Sequence, residues 1–298
     1  MYFGRSTFIK TAALAAVVIL AVLIAGCAGT ANTDEQTKKI TGDESLGQTN
    51  LLTITGSTTV LPIAQAAAEA YMATDSQVDI QVSGGGSSAG VLAVGEKTAD
   101  IGMASREMKE SEKTKYPSLV EHSVAKDGIA VIVSPKNTVT ALSLDEIKQI
   151  YAGGITNWNQ VGGDDMVIVV VGRDSSSGTR EFFTEKVMGS TEYVKTQLEK
   201  NSNGAVAQTI AQTPGAIGYI SLGYLDESVK GLMIKDNGRN IVPSIENVQN
   251  GSYPIARELF MLTNGDAKGL AKKYLDYLLS AEGQAIVQKE GYVTILGN

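Results

Sequence analysis

Residues 166–180 read MVIVVVGRDSSSGTR. The apolar run has the continuous character of a parallel strand buried on both faces. It gives way at Arg173 and Asp174 to three serines, Gly178 and Thr179, and then to a helical pattern that runs through Val187 and stops at Gly189. Strand, polar loop, helix in that order places the loop at the carboxyl end of a strand and the amino end of a helix. There the first backbone N–H groups have no partner within the helix, and the helix dipole favours negative charge. An arginine directly after the strand adds a forked, charge-assisted donor suited to an oxyanion.

The same unit occurs three more times upstream. LLTIT (51–55) leads through Gly56, Ser57, Thr58 and Thr59 into VLPIAQAAAEAYM (60–72), whose apolar residues have helical spacing and whose Pro62 suits a first turn. VDIQV (78–82) leads through Ser83-Gly84-Gly85-Gly86-Ser87-Ser88 to a short helix from Ala89, and ADIGM (99–103) through Ala104-Ser105-Arg106 to a polar helix over 106–113. Loops of this kind gather at one edge of an open α/β sheet, where ligands bind. Four together would form a cage of neutral donors for one small oxyanion. Each hydroxyl also has a plainer reading as an N-cap, worth about 1 kcal/mol, and Arg173 could instead pair with Asp174 or Glu181. The Gly84–Gly90 loop misses both the dinucleotide fingerprint and the nucleophile elbow by one position each.

Composition narrows the function. The chain has 298 residues, 43% of them hydrophobic and 19% charged, which suits a globular protein of two domains. With 25 Lys and Arg against 32 Asp and Glu the net charge is -7, and no basic cluster points to nucleic acid. A single histidine, His122, leaves metal sites and triads poorly supplied, so neither a metal, a cofactor nor an enzymatic role is expected.

At the N-terminus, Arg5 and Lys10 precede an apolar run at 11–24 and the small residues before Cys27, the pattern of a secretory signal. Leu23-Ile24-Ala25-Gly26-Cys27 resembles a lipobox, so residues 1–26 are expected to be a signal peptide and Cys27 the lipidated anchor to a membrane outside the cytoplasm. Residues 27–50, polar and almost free of apolar side chains, read as a flexible tether. Gly42–Thr49 nearly matches a P-loop but lacks its lysine and precedes its strand.

GSTTVLPIAQ, GGGSSAG, ADIGMASRE, DGIAVIVSP, LDEIKQIYAGGITNWNQVGG and VGRDSSSGTREFF, in this order from Leu51 onward, resemble the PstS family, the phosphate-binding proteins of Pst ABC transporters. The resemblance implies a type II periplasmic-binding-protein fold: two α/β lobes joined by two hinge crossovers, near 128–134 and 253–263. Lobe 1 would comprise 51–134 plus 251–298, and lobe 2 would comprise 135–250. It further implies high-affinity binding of inorganic phosphate between the lobes and delivery to the permease subunits of an ABC transporter. The phosphate ligands carried over are Ser57, Thr58, Thr59, Ser87, Ser105, Arg173, Ser177, Gly178 through its amide, and Thr179.

The third loop departs from the family's best-known form, where an Asp follows the Ala-Ser and accepts the phosphate proton. Here Ser105-Arg106 stands, with Glu107 and Asp174 as the nearest replacement acceptors. A cage of donors alone discriminates poorly against sulfate, so another tetrahedral oxyanion (sulfate, molybdate, tungstate) is the alternative ligand. A phosphoryl hydrolase using Ser87 or Ser177 is the remote one. Elsewhere, Ser143 and Glu146 form a capping box, His122 reads as a surface or strand-edge residue, and Trp158 as a loop anchor that could report closure. The C-terminal stretch reads as two packed helices with Ser280 near the start of the second.

Overall fold

A computed structural model describes residues 50–296. The expected signal peptide, Cys27, the P-loop-like stretch and all of the tether but Asn50 lie outside the described residues.

Strand β1 (Asn50–Gly56) turns Leu52 and Ile54 into the interior and pairs in parallel with β2 (Val78–Gly84) and β3 (Ile101–Ala104). Helix α1 (Leu61–Thr74) opens on Pro62 and buries Ile63, Ala64, Ala67 and Ala68, small residues that let it lie close to the sheet. Helix α2 (Ser87–Gly95) starts two residues before Ala89, at the first of the two serines that follow the glycines. The third unit differs from its expected form. Helix α3 begins at Glu110 and runs to Lys115, because Arg106 folds back onto Glu112 and Met108 is buried, which holds 106–109 out of helical geometry. Ser105 is therefore not an N-cap.

Strand β4 (Leu119–Val133) runs through both lobes. Its first part pairs with β12 (Ala256–Asn264), and residues 129–133 pair with β8 (Ala216–Ser221). The second lobe contains the short β5 (Ala141–Ser143) and α4 (Leu144–Ala152), opened by the Ser143–Glu146 capping box. β6 (Val169–Arg173) follows, then α5 (Gly178–Phe183) and a π-turn over Thr184–Met188 that ends at Gly189. β7 (Leu198–Lys200), α6 (Asn203–Gln212) and β8 come next. β9 (Lys230–Gly231), β10 (Met233–Asp236), β11 (Arg239–Ile241) and α7 (Ile245–Gln249) lead back to β12, and α8 (Gly269–Leu279) and α9 (Ala281–Lys289) close the chain, with Ser280 capping α9.

The main sheet runs β2-β1-β3-β12-β4-β8-β6-β7, and a small sheet runs β11-β10-β5. Two cores flank it. One gathers Leu52, Ile54, Ile63, Ile80 and Met103 with Tyr274, Leu278 and Val287 of the C-terminal helices. The other gathers Ile129–Val133, Ile147, Tyr151, Trp158, Phe183 and Tyr219, with the Phe183 and Tyr219 rings stacked at 4.1 Å. Burial on this scale contributes roughly 25 cal/mol per Å2 of apolar surface, so each lobe has its own driving force to fold. His122 lies where β4 has only β12 beside it, and its Nε2 is 2.8 Å from Thr263 Oγ1.

Candidate functional site

The loops after β1, β2, β3 and β6 come together between the lobes. Ser57, Thr58, Thr59, Ser87, Ser105, Arg173, Ser177 and Thr179 are each 8% exposed or less, and Gly178 is buried with them. Hydroxyl side chains are normally left at the surface, so this many buried in one place implies a shared task.

In the first lobe the Ser57 amide donates to the Met103 carbonyl, and the amides of Gly85 and Gly86 both donate to Gly56 O, which fixes the first two loops against each other. Gly56, at φ +134°, has no room for a side chain: a Cβ there would lie 2.9 Å from Gly90 Cα. Ser87 Oγ accepts the Ser105 amide at 3.0 Å and lies 3.3 Å from Ser105 Oγ.

In the second lobe Ser177 caps α5 by accepting the Arg180 amide at 3.2 Å. The plain reading of that hydroxyl and the functional one coexist, since a hydroxyl that accepts a cap bond still has a hydrogen to donate. Asp174 accepts the Ser176 amide and hydroxyl, so it stabilises the loop and does not pair with Arg173. Glu181 pairs with Arg106 and Lys109 instead.

Arg173 is held at its root and free at its tip. Nε donates to Lys200 O, and Nη2 donates to Asn201 O and to Thr58 Oγ1 of the other lobe, each at 3.2 Å. Nη1 is buried with no partner among the described residues. Burial pushes this guanidinium below its ordinary value, and the charge of Arg257 pushes the same way. A buried cationic donor without a partner is costly unless an anion meets it.

The lobes meet across this site. Thr59 Oγ1 lies 3.1 Å from Thr179 Oγ1, the Ser88 amide donates to Ser176 O, and Ser176 Oγ lies 3.1 Å from Gly85 O. Outside the ring, Glu181 of α5 takes Arg106 and, at 2.7 Å, Lys109 of the first lobe; Arg106 also holds Glu112 at 2.8 Å. A cleft of about 660 Å3 beside this cluster is lined by Arg106, Lys109, Glu181, Phe182, Arg257 and Phe260 and by none of the ring hydroxyls.

Several residues of the site carry no loop signature in the sequence. Arg257 on β12 and Asp127 on β4 form a fully buried ion pair at 2.8 Å. Arg257 also donates to Ser105 O at 3.0 Å, Thr179 Oγ1 at 3.1 Å and Thr59 Oγ1 at 3.3 Å. Burial pushes the Asp127 carboxyl up, while Arg257, the Ser221 hydroxyl and the Leu222 amide oppose the shift. Asn203, at the start of α6, donates to Thr58 and Thr59. The Tyr224 and Tyr292 hydroxyls hold the Thr58 and Thr59 carbonyls at 2.7 and 2.8 Å. A charged residue at the edge of an apolar run, as Asp127 before GIAVIV or Arg257 two places before LFML, was the available signal.

Neither proposed proton acceptor reaches the ring: Glu107 is exposed, and Asp174 is engaged in its own loop. Trp158 is buried in the second core with its indole N–H on Gly215 O, so it is a core residue with no contact to the ring. No group of three or more His, Cys, Asp or Glu side chains suited to a metal occurs among the described residues.

Two α/β lobes that share a sheet through a pair of crossing strands, with donors from both converging on one buried arginine, define a solute-binding protein of the periplasmic type that takes an anion. Comparison with known proteins agrees. Residues 30–282 match the PBP superfamily domain. The phosphate-binding protein PstS of Bacillus subtilis (strain 168) is 39% identical over 279 residues, covering 92% of this chain and 90% of that protein. A crystal structure from Clostridium perfringens, described as a candidate phosphate ABC transporter substrate-binding protein with bound phosphate, superposes with a TM-score of 0.78 at 38% identity, covering 83% of this chain and all of that one. An ABC-type phosphate transport receptor from Vibrio cholerae gives 0.67 at 34% identity, covering 82% and 99%. The chain belongs to the PstS family within the PBP superfamily.

Proposed function

We propose that this protein binds inorganic phosphate between its lobes, outside the cytoplasm, and delivers it to the permease subunits of an ABC transporter. The observation that carries the reading is Arg173 Nη1, a buried cationic donor without a partner among the described residues, ringed by hydroxyls from both lobes. The family relatives named for phosphate supply the ligand. Arg173 adds one positive charge, the Arg257–Asp127 pair is neutral, and the remaining donors are hydroxyls and amides. Such a ring compensates one charge of a dianion with a cation and meets the other with hydroxyl and amide dipoles. Ser57, Thr58, Thr59, Ser87, Ser105, Arg173, Ser177, the Gly178 amide and Thr179 are the ligands in this reading.

Lobe 1 comprises 51–134 plus 251–298 and lobe 2 comprises 135–250. Residues 1–26 are the signal peptide, 27–50 the tether, and Cys27 the lipid anchor to the membrane. Among the described residues no helix is long and apolar enough to cross a membrane. An enzymatic role has little support: Ser87 Oγ is bonded to Ser105, Ser177 caps a helix, and His122 is bonded to Thr263.

Calorimetric titration of the full-length chain in detergent with phosphate, sulfate, molybdate and tungstate tests the reading. One-to-one phosphate binding, with the others at least tenfold weaker, is the expected result. Equal or tighter binding of sulfate or molybdate would replace phosphate as the ligand. That second reading is favoured by one observation, the lack of a free carboxylate among the described residues of the ring.

A further inference from the structure

We propose that Asn203 is a positioning residue that fixes which way the Thr58 hydroxyl of the ring points, turning it into an obligate donor when the lobes are closed. The inference rests on the anion-binding reading above. It starts from the orientation of one amide. Asn203 is fully buried at the start of α6, with Ser202 capping that helix. Its Oδ1 accepts the Ser221 amide at 3.2 Å, which settles the direction of the side chain and leaves Nδ2, a group that can only donate, facing the first lobe. Nδ2 lies 3.0 Å from Thr59 Oγ1 and 3.4 Å from Thr58 Oγ1.

A hydroxyl has one hydrogen and two lone pairs. Thr58 Oγ1 receives Asn203 Nδ2 and Arg173 Nη2, both incapable of accepting, so its lone pairs are taken and its hydrogen must be given away. No protein acceptor for it occurs among the described residues, which leaves the bound anion. Thr59 Oγ1 receives Asn203 Nδ2 at 3.0 Å; Arg257 Nη2 gives one of its two hydrogens to Asp127 and has one left for the pair Thr59 Oγ1 and Thr179 Oγ1, at 3.3 and 3.1 Å. Thr59 and Thr179, 3.1 Å apart, share that hydrogen, and Asn203 occupies one Thr59 lone pair whichever way the pair is turned. Thr58, a rotatable group that could face an oxyanion with either a hydrogen or a lone pair, is thereby committed to the hydrogen. Two fixed nitrogen donors, Asn203 and Arg173, impose the choice as the lobes close. A donor directed by the closed site holds the anion without a competing orientation of its own.

Asn203 and Arg173 lie on the second lobe and Thr58 and Thr59 on the first, so the commitment exists only with the lobes together. A site of this kind holds a weak, adaptable Thr58 hydroxyl when open and a directed donor when shut. Asn203 has no need to touch the anion to do this.

The test is a mutant cycle on the full-length chain, read by calorimetry with each oxyanion that the wild type binds, phosphate first. Asn203→Ala is expected to weaken binding about tenfold to a hundredfold, the range for leaving buried hydrogen-bonding groups unmatched. In a Thr58→Val/Thr59→Val background, the same change is expected to weaken binding less than threefold, because the hydroxyls it bonds are gone. The isosteric Asn203→Asp keeps the Ser221 bond but replaces the donor by an acceptor, and is expected to weaken binding at least as much as alanine while folding normally.

The thermal midpoint without ligand separates positioning from scaffolding. Equal fold-losses from Asn203→Ala in both backgrounds, or wild-type affinity in either Asn203 variant, would overturn the proposal. A wild type that binds sulfate and not phosphate would overturn the phosphate reading alone, and the cycle is then decided with sulfate. A wild type that binds no oxyanion would overturn both.

Discussion

Replacing Arg173 by methionine separates the site's chemistry from its packing. Methionine fills most of the arginine's volume and has no charge. The two hydrogens on Nη1 are the ones without a partner among the described residues, and each charge-assisted hydrogen bond to an anion contributes about 1.5–3 kcal/mol. Their loss therefore amounts to roughly 3–6 kcal/mol, a weakening on the order of a hundredfold to ten-thousandfold. Stability should move the other way. Burial depresses the Arg173 guanidinium, so holding it charged without ligand opposes folding. Its carbonyl partners, on Lys200 and on exposed Asn201, lie where water can replace it.

The expected outcome is a ligand-free melting temperature equal to the wild type's or higher, by about 2–4 °C for each kcal/mol gained in a chain of this size. Calorimetry measures the first quantity and differential scanning calorimetry without phosphate the second. Binding weakened less than threefold would refute the assignment of Nη1 to the anion. Lost binding with a melting temperature lowered by more than about 5 °C would show that Arg173 is a scaffold residue.

Gly178→Ala is expected to abolish tight binding while both lobes stay folded, because the new Cβ would fall onto Ser87 Oγ and lie 2.8 Å from Ser87 Cβ and 2.9 Å from Ser105 Oγ in the closed form; small-angle scattering with saturating phosphate would show no compaction. Glu181→Gln removes the shared partner of Arg106 and Lys109 across the lobes, so phosphate should dissociate several-fold faster, with less dependence on salt, in stopped-flow measurements. Ser105 Oγ bonds only Ser87 Oγ among the described side chains and keeps a lone pair to offer. Ser105→Ala should therefore weaken phosphate about fivefold to tenfold more than sulfate, as compared by titration.

For acid stability, burial alone would raise Glu112, but the Arg106 guanidinium and the Lys109 amide overrule it and hold the carboxyl below its ordinary 4.5. A depressed carboxylate stabilises the fold above its unfolded value and loses that contribution as pH falls through the folded one. Glu112→Gln should thus lower the melting temperature at pH 6 and converge with the wild type toward pH 3.

The four loops were legible in the sequence because each is a local pattern: an apolar strand, a few hydroxyls and glycines, then a helix. Ser57, Thr58, Ser87, Arg173 and Thr179 meet as that pattern implies. The helix expected after Ser105 was displaced to Glu110 by a contact that helix propensity does not contain, the fold-back of Arg106 onto Glu112. Asn203 stayed hidden because its strand, β7, is three residues long and polar at Glu199 and Lys200. Arg257 stayed hidden because it meets Thr59 across 198 positions of chain, a separation no local periodicity spans. The proton acceptors named from proximity in sequence failed for the same reason: Glu107 and Asp174 are near the right residues along the chain and directed elsewhere in space.

The pair Asp127–Arg257 sits on the two strands that pass between the lobes, not on a loop at the cleft's edge. In the proposed closure the pivot and the ligand detector are the same length of backbone. An anion drawing on Thr59 and Thr179 would pull on a guanidinium rooted in β12 beside β4, so occupancy would register in the twist of those strands as well as in the gap between the lobes. Substitutions that stiffen or relax that ribbon, such as at the irregular step between Leu259 and Phe260, would retune affinity without altering a single donor. Selection could adjust how greedily the protein scavenges while leaving what it recognises untouched.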